Sequence, residues 1–145
     1  MQGGTVKPEA AAIPLVVDLD GTLVRSDTLH EALLAYLAAA PVTGLRNCIG
    51  WLPGGKAAFK AELAARRIAS PASLQYDQRV LDRIAEARAA GRQIYLVSAS
   101  HQAQVSAISE HLGLFDDAVG SDPSRNLGGA AKATYLCERF GAGQY

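Results

Sequence analysis

The chain has 145 residues and carries 14 Lys and Arg against 14 Asp and Glu, a formal net charge of zero. That length makes one domain with room for a small insertion, and it buries a core without disulfides or a structural metal. A hydrophobic fraction of 49% with 19% charged residues is globular, the neutral balance speaks against a nucleic-acid-binding surface, and no run approaches the roughly 18 apolar residues of a membrane span.

Residues 1–11 read as a loose tail. Pro14 and Asp18 break the apolar stretch that follows, which argues against a secretion signal. Ile13–Val17 is a short branched apolar run ending in acids, the pattern of a strand buried on both faces of a parallel sheet. Thr28-x-x-Glu31 forms a capping box that opens a helix. Leu33, Leu34 and Leu37 make its apolar stripe and Pro41 closes it. From Pro41 to Tyr76 glycines and prolines punctuate the chain. Only Lys56–Ile68 reads as a helix there, with Phe59, Leu63, Arg66 and Arg67 at helical spacing, and Trp51 reads as a packing residue. The whole stretch 26–76 is expected to be a helical cap insertion into a core made of 1–25 and 77–145. In the second part of that core, Val80, Leu81, Ile84 and Ala85 line a helix that Gly91 ends. Gln93–Val97 is a strand, Gln102–Leu112 a helix with Val105, Ile108 and Leu112 inward, and Asp117–Gly120 a third strand. Gly129–Phe140 is the last helix, with Ala133, Leu136 and Phe140 on one face. The alternation predicts an α/β fold, a Rossmann-like parallel sheet with right-handed crossovers. Ligands then belong beyond the carboxyl ends of the strands. Cys48 and Cys137, neither in a CxxC pair, read as thiols of a reducing cytoplasm.

The chemistry concentrates at Asp18-Leu19-Asp20-Gly21-Thr22. Strand periodicity sends Asp18 and Asp20 to the same side. Two carboxylates there can divide nucleophilic attack on phosphorus from proton transfer, and a divalent cation would relieve their mutual repulsion. Gly21 permits a tight turn that brings amides to an anion. Asp-Gly is also a hairpin signal, a reading that leaves the carboxylate of Asp18 unexplained. Ser98, in Ile94-Tyr95-Leu96-Val97-Ser98-Ala99-Ser100, ends a strand just before a helix, where hydroxyl and amide donors meet a positive helix terminus. A plain helix cap is the competing reading, with Ser100 the better candidate for it. Lys132 is one of four lysines in the chain and sits among small residues. A cation there could neutralise a phosphate, whereas the ordinary reading is a solvated helix residue. His101, directly after the Ser98 strand, is a weaker candidate for a substrate contact, and Arg25 and Asp27 are weaker candidates for shaping the site entrance. Lys56 and Lys60 fall in the insertion, with no role assigned.

The stretch Leu15–Val24 resembles the first motif of the haloacid dehalogenase-like (HAD) hydrolase superfamily, DxDGT[LV] after apolar residues. The resemblance implies Asp18 as nucleophile and Asp20 as general acid/base, with Gly21 and Thr22 at the phosphate. Its second Asp marks the branch that acts on phosphate. It further implies that Ser98, through its hydroxyl, Ala99, through its amide, and Lys132 bind the phosphoryl group of a small-molecule phosphate ester, and that Asp18 and Asp20 hold Mg²⁺. The family's fourth motif, an acidic pair ending a strand beside the first, is expected after the Lys helix. The chain stops at Gly-Ala-Gly-Gln-Tyr145, so the core is expected to be incomplete at its carboxyl end, with weaker metal binding and an open edge on the first strand. DLDGTLVRSDTLHEALL and GLFDDAVGSDPSRNLGGAAKATYLCERFG also resemble the HAD domain fused ahead of bacterial ubiquinone-type membrane prenyltransferases, although Gly128 stands where such relatives often carry Lys. That implies a cytoplasmic phosphohydrolase or, alternatively, an incompetent fragment or a regulatory or scaffolding domain of a membrane enzyme.

Overall fold

The computed structural model describes residues 12–145, so the expected N-terminal tail lies outside the described residues. Three parallel strands, β1 (Leu15–Val17), β2 (Ile94–His101) and β3 (Asp117–Ser121), lie in the order β1-β2-β3. Leu15 pairs with Ile94 and Val17 with Leu96, while Tyr95 pairs with Asp117 and Val97 with Val119. The helices are α1 (Thr28–Ala39), α2 (Pro41–Trp51), α3 (Gly55–Arg66), α4 (Gln78–Ala89), α5 (Gln102–Leu112) and α6 (Ala130–Phe140).

The period of two along β2 divides the core. Ile94 and Leu96 pack with Val17, with Ile84 and Ala87 of α4, and with Val105 and Ile108 of α5. Tyr95 and Val97 turn the other way, toward Val119 and toward Leu136 and Phe140 of α6. Helices therefore cover both faces, as a parallel sheet demands. Two inward faces differ from the sequence expectation. Ala87, not Ala85, is the small buried residue of α4, and Tyr135 takes the inner place expected for Ala133 on α6. Both alanines are exposed.

Helices α1, α2 and α3 pack on one another between β1 and α4 in the chain. Pro41 starts α2 instead of only closing α1, because a proline at the first helical position loses no needed hydrogen bond. The glycine- and proline-rich stretch thus hides a helix of 11 residues. Trp51 stacks on Tyr36 at 5.8 Å, meets Phe59 edge-on and lies under the Arg66 guanidinium, which joins α1, α2 and α3. Leu34, counted in the α1 stripe, is 55% exposed, while Ala32 and Thr28 are the buried residues of that helix.

Asp77 fastens the return from these helices to the core. Its amide donates to the Leu23 carbonyl at 2.9 Å, and its carboxylate caps α4 through the Arg79 amide and pairs with the Arg79 side chain. Arg79 holds the Asp77 carboxyl down to about 2, well below the ordinary carboxylate value, with help from Arg25. A folded-state value below the unfolded one adds stability above the unfolded value, about 3.9, and that stability is lost as pH falls toward 2. Melting temperatures taken between pH 6 and pH 2.5 are therefore expected to fall more steeply for the native chain than for Asp77→Asn.

Candidate active site

Past Val17 the chain leaves the sheet and turns back sharply. Leu23 and Val24 donate to the carbonyls of Asp18 and Leu19, and Gly21 takes φ 73°, a left-handed conformation that glycine adopts without a Cβ penalty. Leu19, Leu23 and Val24 are fully buried. Their burial anchors the turn and leaves Asp18 and Asp20 half-exposed at the carboxyl end of β1, with Gly21 and Thr22 exposed beside them.

Lys132, in the first turn of α6, crosses to this point. Its Nζ donates to Asp18 Oδ1 at 2.6 Å, across 114 residues of sequence. The side chains are 22% and 42% exposed, so the pair faces solvent and would also face a ligand. Asp18 Oδ2 has no protein partner among the described residues.

Asp20 is held more tightly. Its Oδ1 accepts from both the amide and the hydroxyl of Thr28, each at 2.7 Å, and its Oδ2 accepts from the Ser100 hydroxyl in a very short bond. The two hydroxyl oxygens also lie 2.9 Å apart, a contact across which neither donates while both donate to Asp20. These contacts correct two expectations. Thr28 is not the cap of α1; Asp27 is, accepting from Leu29 and His30. Ser100 is not the cap of α5; the His101 imidazole is, accepting from Ala103. Both hydroxyls are spent on Asp20 instead, because β2 continues to His101 and carries Ser100 under the start of α1. Arg25 faces Asp77 at 3.9 Å, away from the carboxylate pair.

Ser98 is buried, and its Oγ accepts from the Ser100 amide at 3.1 Å, which leaves its O–H free to donate. Gly120 is what lets β3 press against this turn. A Cβ there would sit 2.7 Å from the Ser100 carbonyl and 2.8 Å from Gln102 Cα, too close for any side chain without moving backbone. Gln102 completes the contact by accepting from the Gly120 amide at 2.6 Å.

Nothing local in the sequence marks Lys60 as a neighbour of this site. It comes from α3, is only 7% exposed, and donates to the Ala99 carbonyl at 2.7 Å. Burial pushes its ammonium below the ordinary lysine value and Lys56 adds to that, while Asp20 and Asp27 pull it back up. Burial likewise lowers the His101 imidazole, against the pull of Asp122. The segment after α3 is pinned as well. Gln104 accepts from the Ala69 amide at 2.6 Å and donates to its carbonyl at 2.9 Å.

For a metal, the available donors are hard oxygens, the free Asp18 carboxylate oxygen and the Asp20 carbonyl. That set suits Mg²⁺, which takes few protein ligands and keeps waters and substrate oxygens. Among the described residues no group of three or more His, Cys, Asp or Glu comes together.

Two carboxylates thus stand at the carboxyl end of the first strand of a parallel α/β sheet, one of them ion-paired to a distant lysine. The model of haloacid dehalogenase-like hydrolases matches residues 15–139, and the chain belongs to that family. An uncharacterized protein of Sinorhizobium fredii, y4nM, is 44% identical over 131 residues, which is 90% of this chain and 25% of that protein. The chain thus spans about a quarter of that relative's length. A crystal structure of a predicted phosphoglycolate phosphatase from Haemophilus somnus superposes with a TM-score of 0.55 at 17% identity, covering 90% of this chain and 72% of that one, and shows the shared fold. A CbbY mutant from Rhodobacter sphaeroides, solved with xylulose-(1,5)bisphosphate, gives a TM-score of 0.47 at 18% identity, over 76% of this chain and 64% of that one. No helix among the described residues is long and apolar enough to cross a membrane.

Proposed function

We propose that the chain hydrolyses small phosphomonoesters through an aspartyl-phosphate on Asp18. The observation that carries this reading is the pairing of Lys132 with Asp18 at 2.6 Å beside an Asp20 fixed by three donors. Lys132 holds an Asp18 oxygen in place and afterwards faces a phosphoryl oxygen. The Gly21 and Thr22 amides, the Ser98 hydroxyl and the Ala99 amide supply the remaining donors. An Asp18 oxygen attacks phosphorus, the ester P–O bond breaks, and the departing oxygen takes a proton from Asp20, which enters the step protonated, the Ser100 hydroxyl then accepting from it and donating to Thr28. Water then loses a proton to Asp20 and attacks the same phosphorus, releasing phosphate and restoring the Asp18 carboxylate. Asp18 and the Asp20 carbonyl would hold Mg²⁺, which when bound offsets the negative charge gathered around the phosphoryl group.

In this reading residues 26–76 form a cap over a core of 1–25 and 77–145, and the enzyme works in the cytoplasm. Phosphate release from p-nitrophenyl phosphate, with Mg²⁺ and with excess chelator, tests it. Turnover with Mg²⁺ that falls at least about tenfold in chelator is the expected result. Absence of any turnover by the folded chain sinks the proposal.

The length of the Sinorhizobium relative favours a second reading, in which the domain scaffolds or regulates a longer protein such as a membrane prenyltransferase. A full-length relative active as a phosphatase only through its Asp18 equivalent would exclude it.

A further inference from the structure

Helix α2 turns one side inward and leaves another bare. Gly44 and Cys48 are its buried residues, and Gly44 lies so close to α1 that a Cβ there would stand 3.2 Å from the Leu37 side chain. Val42, Leu45, Ile49 and Leu52 follow at steps of three, four and three, which keeps them on one side of α2 and of the 3₁₀ turn Leu52–Gly54 that extends it. They are 84%, 56%, 59% and 64% exposed. Among the described residues seven large hydrophobic side chains are exposed, and four of them form this row. Single exposed aliphatics are ordinary, but a contiguous row marks a surface that something covers.

The charge around the row is one-sided. Residues 32–61 contain no Asp or Glu. Over 32–76 five Lys and Arg stand against Glu62 alone, and Glu62 is paired with Arg66. The whole chain is neutral, so its excess of acid lies elsewhere. Arg46, on α2 beside the row, and Lys56, just past its end, are exposed, and among the described residues neither has a carboxylate within ion-pair distance. The occupant must therefore offer an apolar layer next to negative charge. A second copy of this chain docked through the same row would bring the same unopposed cations together. A protein partner is held mainly by aromatic or arginine anchors seated in pockets, and the row consists of branched aliphatics alone. A lipid surface needs no matching pocket. It takes aliphatic side chains below its headgroups and draws cations to its phosphates. No helix among the described residues is long and apolar enough to cross a bilayer, so the contact is with its surface.

We infer that α2 docks this chain on the surface of an anionic lipid bilayer, with Val42, Leu45, Ile49 and Leu52 entering below the headgroups and Arg46 and Lys56 meeting lipid phosphates. The inference stands whether or not the chain is a phosphatase, and it needs no membrane-spanning partner. Docking by this face brings Trp51, which ends α2 between Ile49 and Leu52 in the sequence, close to the acyl chains.

Flotation with vesicles of equal parts phosphatidylcholine and phosphatidylglycerol, against vesicles of phosphatidylcholine alone, tests this at physiological ionic strength. The native chain is expected to partition onto the anionic vesicles about tenfold or more better. Trp51, the one tryptophan of the chain, reports which face is engaged. Its emission should be quenched when the anionic vesicles carry lipid brominated on its acyl chains, a readout that needs no variant. Leu45→Ser with Ile49→Ser should weaken partition by about tenfold or more. Arg46→Gln with Lys56→Gln should reduce the preference for anionic lipid, whereas Arg83→Gln, on the exposed side of α4, should change neither quantity. All the altered side chains are exposed, so melting temperatures close to the native one are expected. Partition that leaves Trp51 unquenched, or that survives Leu45→Ser with Ile49→Ser, overturns the inference, because binding then uses another face. Equal partition onto both kinds of vesicle, or a preference unchanged by Arg46→Gln with Lys56→Gln, overturns the role given to the cations. No partition onto either vesicle overturns the inference outright, and a dimer in sedimentation that Leu45→Ser with Ile49→Ser dissociates would then assign the row to a second copy.

Discussion

Asp18→Asn is expected to lower turnover of p-nitrophenyl phosphate by about 10⁴-fold or more, the scale of loss when a covalent nucleophile is removed. The amide is nearly the same size as the carboxylate, and its oxygen can still accept from Lys132. What it lacks is the charge and the lone-pair strength to attack phosphorus. The fold should survive, because the ion pair is partly exposed at 22% and 42% and pairs of that kind contribute at most about 1 kcal/mol. Melting temperature and circular dichroism matching the native chain, with turnover abolished, is the expected combination. Undiminished turnover in Asp18→Asn removes Asp18 from the reaction.

The second large effect belongs to Asp20→Asn, and its signature lies in the leaving group. A nitrophenolate departs without a proton, whereas an alkoxide does not. Loss of general acid help should therefore cost about 10²–10⁴-fold on an alkyl phosphate and markedly less on p-nitrophenyl phosphate. The site can accommodate the amide. Either of the Thr28 and Ser100 hydroxyls can act as donor in their mutual bond, so Ser100 can rotate to accept from the new NH₂ while the Thr28 amide keeps an oxygen partner. Equal losses on both substrates would show that Asp20 acts by orientation or charge alone.

The carboxylate pair was readable because strand alternation and an Asp-Gly turn leave few geometries, and Asp18, after two valines, made little sense as packing. Lys132 was readable only beside that motif, since nothing local distinguishes it from a solvated helix lysine. Thr28 and Ser100 defeated the reading for a specific reason. A hydroxyl within two residues of a helix start is usually a cap, and only the three-dimensional arrival of β2 beneath α1 shows that both serve Asp20. Helix α2 was obscured because Pro41 ends one helix and begins the next. Lys60 was passed over because helical lysines are normally solvated, and no local signal reveals that α3 lays this one against β2.

Thr28 has a mechanical role that its chemistry does not suggest. It is the first residue of α1, and it supplies two of the three bonds that aim Asp20. No slack separates the helix from the carboxylate. A tilt of α1 that shifts Thr28 must swing Asp20 or release it, in the way a steering rod turns a wheel. At the other connection Gln104 grips the Ala69 backbone through both ends of its amide. The position of α1 is thereby coupled directly to the aim of the Asp20 carboxyl group.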